Sequence, residues 1–466
     1  MKLRNLLFLT SVILLFVTNS CKTDKGDNQM QDSLKLTINK FPDRIKNSVI
    51  YEVNVRQYTA EGTFKAFEKH LPDLQKLGVD ILWFMPVQPT GKLNRKGSLG
   101  SYYSIKNYTK INPEFGTKAD FKHLVEDAHK RGMLVLIDWV ANHTAWDNPW
   151  IKEHPDWYTH NKAGQIISPV PDWTDVADLN YHNQQMRNAM VDAMKYWIKN
   201  FDIDGFRCDV AMMVPTDFWD SARVELDKVK PVFMLAEAGI DNPDLMQKAF
   251  DMDYSWDLYH AMNDIAAGKE NASALPPIFK KEELVLPART IRMRFTSNHD
   301  ENSWDGTVFE RMPNSYQTFA ALTFLVPGMP LIYSGQEACL NHRLRFFDKD
   351  TIQWKHCVMT DLYKKLISLK KQHIALWNEG FGAGIDFVQT SDNTDVFAFV
   401  RQKNNDKILC IFNLSNQNVD FYINDALASD KYTGYFSGKT VEIKYGQELK
   451  MKPWQYLVLI KKKIKL

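Results

Sequence analysis

From about Ile45 to Trp377 short apolar runs alternate with longer amphipathic segments, and that alternation restricts the fold more than any other feature. The runs include VIYEVNV, DILWFMP, MLVLIDWV, DIDGFRCDV, PVFMLAEA, IRMRFTSNHD and PLIYSG, with a weaker eighth in AFDMDYSW. Helical patterns fill the intervals: FKAFEKHLPDLQKLG, ADFKHLVEDAHKRG and NQQMRNAMVDAMKYWIKNF. The second ends on Gly, as helices often do. In the third, Met186, Met190, Met194 and Trp197 recur at helical spacing, a stripe that reads as core packing rather than a binding surface. Strands that alternate with helices pair in parallel through crossovers. Eight such units close into a (β/α)8 TIM barrel. A doubly wound open sheet is disfavoured, because no Gly-rich phosphate loop follows the first run.

The two ends differ from this pattern. From about Ile385 to Leu466, the runs DVFAFVRQ, KILCIFNLS, VDFYIN and QYLVLIKK are separated by polar turns, which predicts a small C-terminal antiparallel β-sandwich. At the start, Lys2 and Arg4 precede an apolar stretch from Leu6 to Val17, followed by TNS and Cys21. A charged start, a core too short to span a bilayer and a small residue before the cut predict a secretory signal. Cys21 then resembles the lipidated N-terminal Cys of a bacterial lipoprotein, with Thr18 where Leu is usual; plain secretion is the alternative. The following stretch, KTDKGDNQMQDS, has no apolar period and reads as a tether.

The expected organisation is a leader over 1–20, a tether over 21–40, a barrel over 41–380 with a short insertion at about 144–177, and a sandwich over 385–466. The protein is expected to be exported to the bacterial cell envelope and held on a membrane by its lipid. Its net charge of +2, from 58 basic and 56 acidic residues, argues against a nucleic-acid binder. Cys208, Cys339, Cys357 and Cys410 lie far apart, so neither a disulfide framework nor a zinc site is indicated.

Charges stand where the apolar runs end. Arg207 and Asp209 are two apart on a strand and project to the same side, towards the barrel axis near its C-terminal rim. A buried ion pair joining two strands would explain them, but such pairs add little net stability after desolvation. The same oddity recurs at Asp138, followed by Asn142 and His143, at Glu237, and at His299 and Asp300. Carboxylates gathered on one rim raise one another's pKa values unless compensated. One ionised and one protonated carboxyl together suit glycoside hydrolysis.

In DWVANH, GFRCD, LAEA and NHD, taken in that order, the chain resembles glycoside hydrolase family 13, the α-amylase family. GVDILWFMP, INPEFGT, DLN at Asp178–Asn180 and GMPLIYSGQE support the resemblance. It implies Asp209 as nucleophile, Arg207 as the group that keeps it ionised, Glu237 as acid and base, and Asp300 as transition-state stabiliser. It further implies that His143, His299, Asp138 and the stacking Tyr103 bind the sugar, and that Asn142 is the one recognisable calcium ligand. Calcium is then the only cofactor to consider.

Five tryptophans, Trp139, Trp146, Trp150, Trp157 and Trp173, crowd the segment after the third strand, where the family inserts its small second domain. Flat indole faces suit sugar rings, though at least three of the five are expected to be packing. Met212 and Met213 stand where many amylases have a Lys-His pair. With DVA and DLN, this is more similar to the neopullulanase and cyclomaltodextrinase branch, although that branch's usual Asn-Glu is also absent. The implied activity is retaining hydrolysis of α-glucosidic bonds, α-1,4 or α-1,6, in starch-derived glucans or maltooligosaccharides. Transglycosylation or sugar isomerisation by the same intermediate is the alternative, since AEA also occurs in such members. A non-catalytic sugar-binding relative would typically have lost a carboxylate, and none is lost here. The sequence leaves the oligomeric state open.

Overall fold

The computed structural model describes residues 42–378 and 380–461. The expected leader, Cys21 and the tether lie outside the described residues. Among the described residues, no helix is long and apolar enough to cross a membrane.

The apolar runs form the barrel strands β1 (Ile50–Val53), β2 (Ile81–Phe84) and β3 (Leu134–Trp139). A separate antiparallel hairpin, β4 (His143–Ala145) with β5 (Val176–Asp178), lies in the insertion. The barrel continues with β6 (Gly205–Cys208), β7 (Phe233–Ala236), β8 (Met252–Tyr254), β9 (Ile291–Arg294) and β10 (Met329–Tyr333). They close in the order β1-β10-β9-β8-β7-β6-β3-β2, with every pair parallel. The weak eighth run supplies β8, which bridges β7 and β9 and completes the ring.

Both faces of each strand are covered, which is why the runs are continuously apolar instead of alternating. Ile50, Ile81, Leu134, Leu136, Phe233, Leu235, Met252, Met293 and Leu331 belong to one buried cluster that fills the barrel interior. Inward positions recur every second residue. The file Leu134, Leu136 therefore continues to Asp138, and Phe233, Leu235 to Glu237, so the charges take the last inward place before the C-terminal rim. Gly205 begins the file that leads to Arg207 and Asp209. A Cβ there would lie 1.9 Å from the Phe233 carbonyl oxygen, so only glycine lets β6 and β7 approach this closely.

The first predicted helix divides into Phe64–Glu68 and Leu71–Leu77. Pro72 lies in the first turn of the second piece, where its missing N–H does no harm; mid-helix its ring would collide with the preceding turn. Helix Lys118–Lys130 opens on a capping box between Thr117 and Asp120. In helix Gln184–Phe201 the Met186, Met190, Met194 and Trp197 stripe is wholly buried.

The C-terminal segment forms β11 (Asp386–Phe387), β12 (Val396–Lys403), β13 (Asp406–Asn413), β14 (Val419–Tyr422), β15 (Asp430–Gly434), β16 (Thr440–Ile443), β17 (Glu448–Met451) and β18 (Tyr456–Lys461). A six-stranded sheet in the order β11-β12-β13-β18-β15-β16 is accompanied by the pair β14-β17, all antiparallel. Val400, Leu409, Ile411, Val419, Phe421 and Met451, drawn from both sheets, share one core. Arg401 of β12 is fully buried and donates to the carbonyls of Leu325, Trp377 and Ala383, fastening this sheet to the barrel.

One expectation from cysteine spacing is corrected. Cys339 and Cys357, 18 residues apart, form a disulfide that closes the loop after β10. The Thr360 hydroxyl donates to the Glu337 carbonyl at 2.6 Å, drawing the start of helix Val358–Gln372 against the turn Gln336–Ala338 and bringing the two thiols together. Cys208 and Cys410 are buried free thiols.

Candidate active site

Arg207 is the hub of the rim. Its guanidinium is fully buried and meets three carboxylates: Nη1 lies 2.9 Å from both Asp138 Oδ1 and Asp209 Oδ1, and Nη2 lies 3.0 Å from Glu237 Oε2. Nε donates to the Tyr254 hydroxyl at 3.1 Å, and the ring of Trp83 lies 5.1 Å away. The Nη2 contact with Glu237 is an ion pair without a well-aligned hydrogen bond. Glu237 Oε2 instead accepts from the Val210 N–H at 2.7 Å.

A single cation is shared among three acids. Burial pushes Asp209 well above the ordinary carboxylate range, and neighbouring Glu237 pushes it further, against the pull of Arg207. Burial likewise raises Asp138, with Arg207 opposing. Arg207 thus pulls Asp209 towards the ionised form, as expected, but its guanidinium is divided among three acids.

A second network adjoins the first. His299 lies with Nδ1 2.5 Å from Glu52 Oε1 and Nε2 3.2 Å from Asp300 Oδ2. Burial alone would favour neutral imidazole, but Asp300 and Glu52 raise His299 well above its usual range. Burial likewise opposes ionisation of Asp300, but His299 and Arg207 outweigh it and hold this carboxyl below the usual range. Tyr103 joins the networks: its hydroxyl lies 3.1 Å from Asp138 Oδ2 and 2.6 Å from His299 Nε2, and its ring stacks on His299 at 5.3 Å. His143, at the start of β4, is pushed down to about 4 by burial and is a neutral hydrogen-bonding group at pH 7.

These residues open into one cleft of about 440 Å³, lined by Tyr103, His143, Asp209, Glu237 and Asp300. Arg207 and Asp138 lie beneath it, wholly buried. The cleft is also lined by Lys96, Asp175, Val210, Trp304, Phe346 and Phe347, which the sequence reading did not single out. Val210 has φ +37°, a left-handed conformation costly for a β-branched residue, of order 1–3 kcal/mol. That turn aims its N–H at Glu237. Of the five tryptophans from Trp139 to Trp173, only Trp173 lines the cleft, edge-on to His143 at 5.4 Å. Trp139 and Trp157 are buried, and Trp150 packs against the core.

Calcium at Asn142 would need further oxygen ligands from other loops. That ion takes about 6–8 oxygen ligands. The Asn142 amide nitrogen lies 3.2 Å from His143 Nδ1, its backbone carbonyl accepts from Leu179, and Met212 and Met213 offer no oxygen side chain. Among the described residues, no group of three or more His, Cys, Asp or Glu could hold a metal.

Comparison with known proteins agrees with this arrangement. Residues 39–174 and 156–417 match the family described as alpha amylase, catalytic domain, and residues 385–458 match maltogenic amylase, C-terminal domain. A noncanonic maltogenic alpha-amylase from Thermotoga neapolitana superposes with a TM-score of 0.82 at 32% identity, over 90% of this chain and 99% of that one. An alpha-amylase from Lactobacillus plantarum gives 0.80 at 32% identity with the same coverage. The alpha-amylase MalA of Haloarcula japonica is 28% identical over 387 residues, 80% of this chain, which spans 56% of that curated relative's length. With a family match running through the barrel and a second over the C-terminal sheet, the chain belongs to the alpha-amylase family.

Proposed function

We propose that the protein is a retaining glycoside hydrolase that cleaves α-glucosidic bonds in starch-derived glucans or maltooligosaccharides. The observation that carries this reading is the convergence of Asp209, Glu237 and Asp300 in one cleft around Arg207. Asp209 and Glu237 sit on the two arms of one guanidinium. This favours the close carboxylate spacing of a retaining site, about 5 Å, over the 6.5–9.5 Å of an inverting one.

In the first step the Asp209 carboxylate attacks the anomeric carbon as the glycosidic bond breaks, and Glu237 gives its proton to the departing oxygen. A glycosyl ester on Asp209 results. Glu237, now ionised, takes a proton from water, which attacks the same carbon and releases Asp209, so the configuration is retained. Asp300, held ionised beside His299, accepts hydroxyls of the distorted ring. Tyr103 stacks on that ring, and His143 hydrogen-bonds a further hydroxyl.

Incubation with maltoheptaose, and separately with pullulan, tests the reading by chromatography of products over time. Shorter maltooligosaccharides, with panose or maltotriose from pullulan if α-1,6 or neighbouring bonds are accepted, are expected. Longer oligomers or a rearranged disaccharide would replace it with transfer or isomerisation. Named similarities to maltosyltransferases, such as that of Picrophilus torridus at 25% identity, make transfer the reading to exclude.

Export and lipid attachment at Cys21 belong to the same proposal, supported by the charged, apolar and small-residue order of the N-terminus. Cys21→Ala is expected to release the activity from the membrane fraction; membrane association unchanged by it would refute the anchor.

A further inference from the structure

We propose that the cleft is closed behind the attacked sugar by a braced wall centred on Lys96, so that the enzyme removes short sugars from the non-reducing ends of glucan chains instead of cutting within them. This specificity rests on the hydrolase reading above.

The wall joins three segments far apart in sequence. The loop after β2, residues 91–100, stands in the middle. On one flank Lys96 Nζ pairs with Asp175 Oδ1 at 3.3 Å and donates to the Asp172 carbonyl at 2.7 Å, both in the insertion. On the other flank the Leu99 N–H donates to the Phe347 carbonyl at 2.9 Å. The Ser98 N–H and hydroxyl reach Asp348 Oδ1 at 2.8 and 2.6 Å.

The loop after β2 and the segment at Phe347 are in close contact. Gly97 has φ +61°, and a Cβ on it would lie 2.5 Å from Phe347 Cβ. The loop is stiff as well as tied. Arg95 donates to the carbonyls of Gly91 and Ser98 at 2.8 and 3.2 Å, and Arg56 donates to that of Gly100 at 2.9 Å. Asp175 is buried and Lys96 is its ion-pair partner, so opening the clasp would strand a carboxylate, which proteins resist.

The direction of the chain follows from the chemistry. The departing oxygen leaves towards Glu237, and the turn after Val210 on that side carries Met212 and Met213, 47% and 40% exposed to solvent. In the hydrolase reading the attacked ring lies against Tyr103 and Asp300, which line the cleft with His299 buried behind them. Behind them Phe346 stacks on Tyr103 at 6.3 Å and contacts Trp304 at 5.2 Å, and it is followed directly by Phe347 of the wall. A chain extending from the non-reducing side of the attacked ring runs into this wall.

The test compares maltoheptaose with the same oligosaccharide capped at its non-reducing end by a benzylidene acetal, each labelled at the reducing end. The native enzyme is expected to cleave the free substrate at least about 100-fold faster than the capped one. The label should step down by a fixed short unit. Lys96→Ala, and Lys96→Met, which keeps the chain length without the charge, should raise the capped-to-free ratio at least about tenfold.

Equal cleavage of both substrates by the native enzyme, or label scattered over all lengths from the first time points, would overturn the wall, and neither needs a variant to fold. Unchanged ratios in folded variants would overturn the role of Lys96. Turnover of neither substrate would overturn the hydrolase reading and this inference with it, an outcome distinct from equal turnover of both.

Discussion

Asp209→Asn is expected to lower kcat on the order of 10⁴–10⁶-fold while raising the unfolding temperature by about 1–3 °C. The loss follows from removing the nucleophile. The gain follows from the crowding around Arg207, where three carboxylates share one buried guanidinium. Because the folded-state pKa of Asp209 is raised by burial and by Glu237, the folded protein binds this proton more tightly than the unfolded chain does. Stability linked to it is therefore present at low pH, and declines as pH rises from about 4 through the raised value. Asn does not titrate. The advantage of the variant should be small below about pH 4 and widen above it, as thermal melts at a series of pH values would record. A variant less stable than the native protein at pH 8 would contradict the electrostatic account, whatever its activity.

Arg207→Met also lowers turnover but has the opposite effect on stability. It leaves Asp138, Asp209 and Glu237 without their cation, and removing one partner of a buried ionic cluster costs about 3–5 kcal/mol. Turnover should fall at least about 100-fold, because the nucleophile and the acid lose the group that sets them side by side. Protonated carboxyls need no cation. The destabilisation should accordingly be smaller at pH 5 than at pH 8, measured by urea unfolding at both. A well-folded Arg207→Met protein as stable as the native one at pH 8 would show that the three contacts contribute nothing. Read together, the two variants separate charge crowding from charge neutralisation, since they move stability in opposite directions from neighbouring positions on one strand.

The barrel and its carboxylates were legible because they depend on strand periodicity. A polar residue at an inward position on an otherwise apolar strand stands out without any structure, as Asp138, Arg207 and Glu237 do. The walls of the cleft were not legible in this way. Lys96 meets Asp175 across 79 residues, Phe346 and Phe347 lie in a loop where an aromatic residue has no period to violate, and Trp304 ends a helix of six residues, too short to show one. The tryptophans between Trp139 and Trp173 were expected to be mostly packing and are: Trp139 and Trp157 fill space, Trp150 packs against the core, and of the five only Trp173 lines the cleft, which composition could not single out. Cys339 and Cys357 meet because a turn and a helix end dock, which spacing alone does not reveal. The sharing of Arg207 was hidden for a related reason: counting it as the partner of Asp209 is simple, whereas learning that Asp138 and Glu237 claim the same guanidinium requires coordinates.

The glycine at position 205 separates two kinds of change open to this protein. Since β6 and β7 touch backbone to backbone there, the separation of Asp209 from Glu237 is inherited from the sheet itself and not from any loop. The loops around residues 91–100, 168–176 and 340–350 shape the mouth of the cleft and contain none of the reacting carboxylates. Selection can rewrite which sugars enter by altering those loops, insertions included, without retuning the distance on which bond cleavage depends. A diversified library confined to them would sample new chain-length preferences with the reactive pair unchanged, whereas random substitution along β6 would mostly yield inert protein.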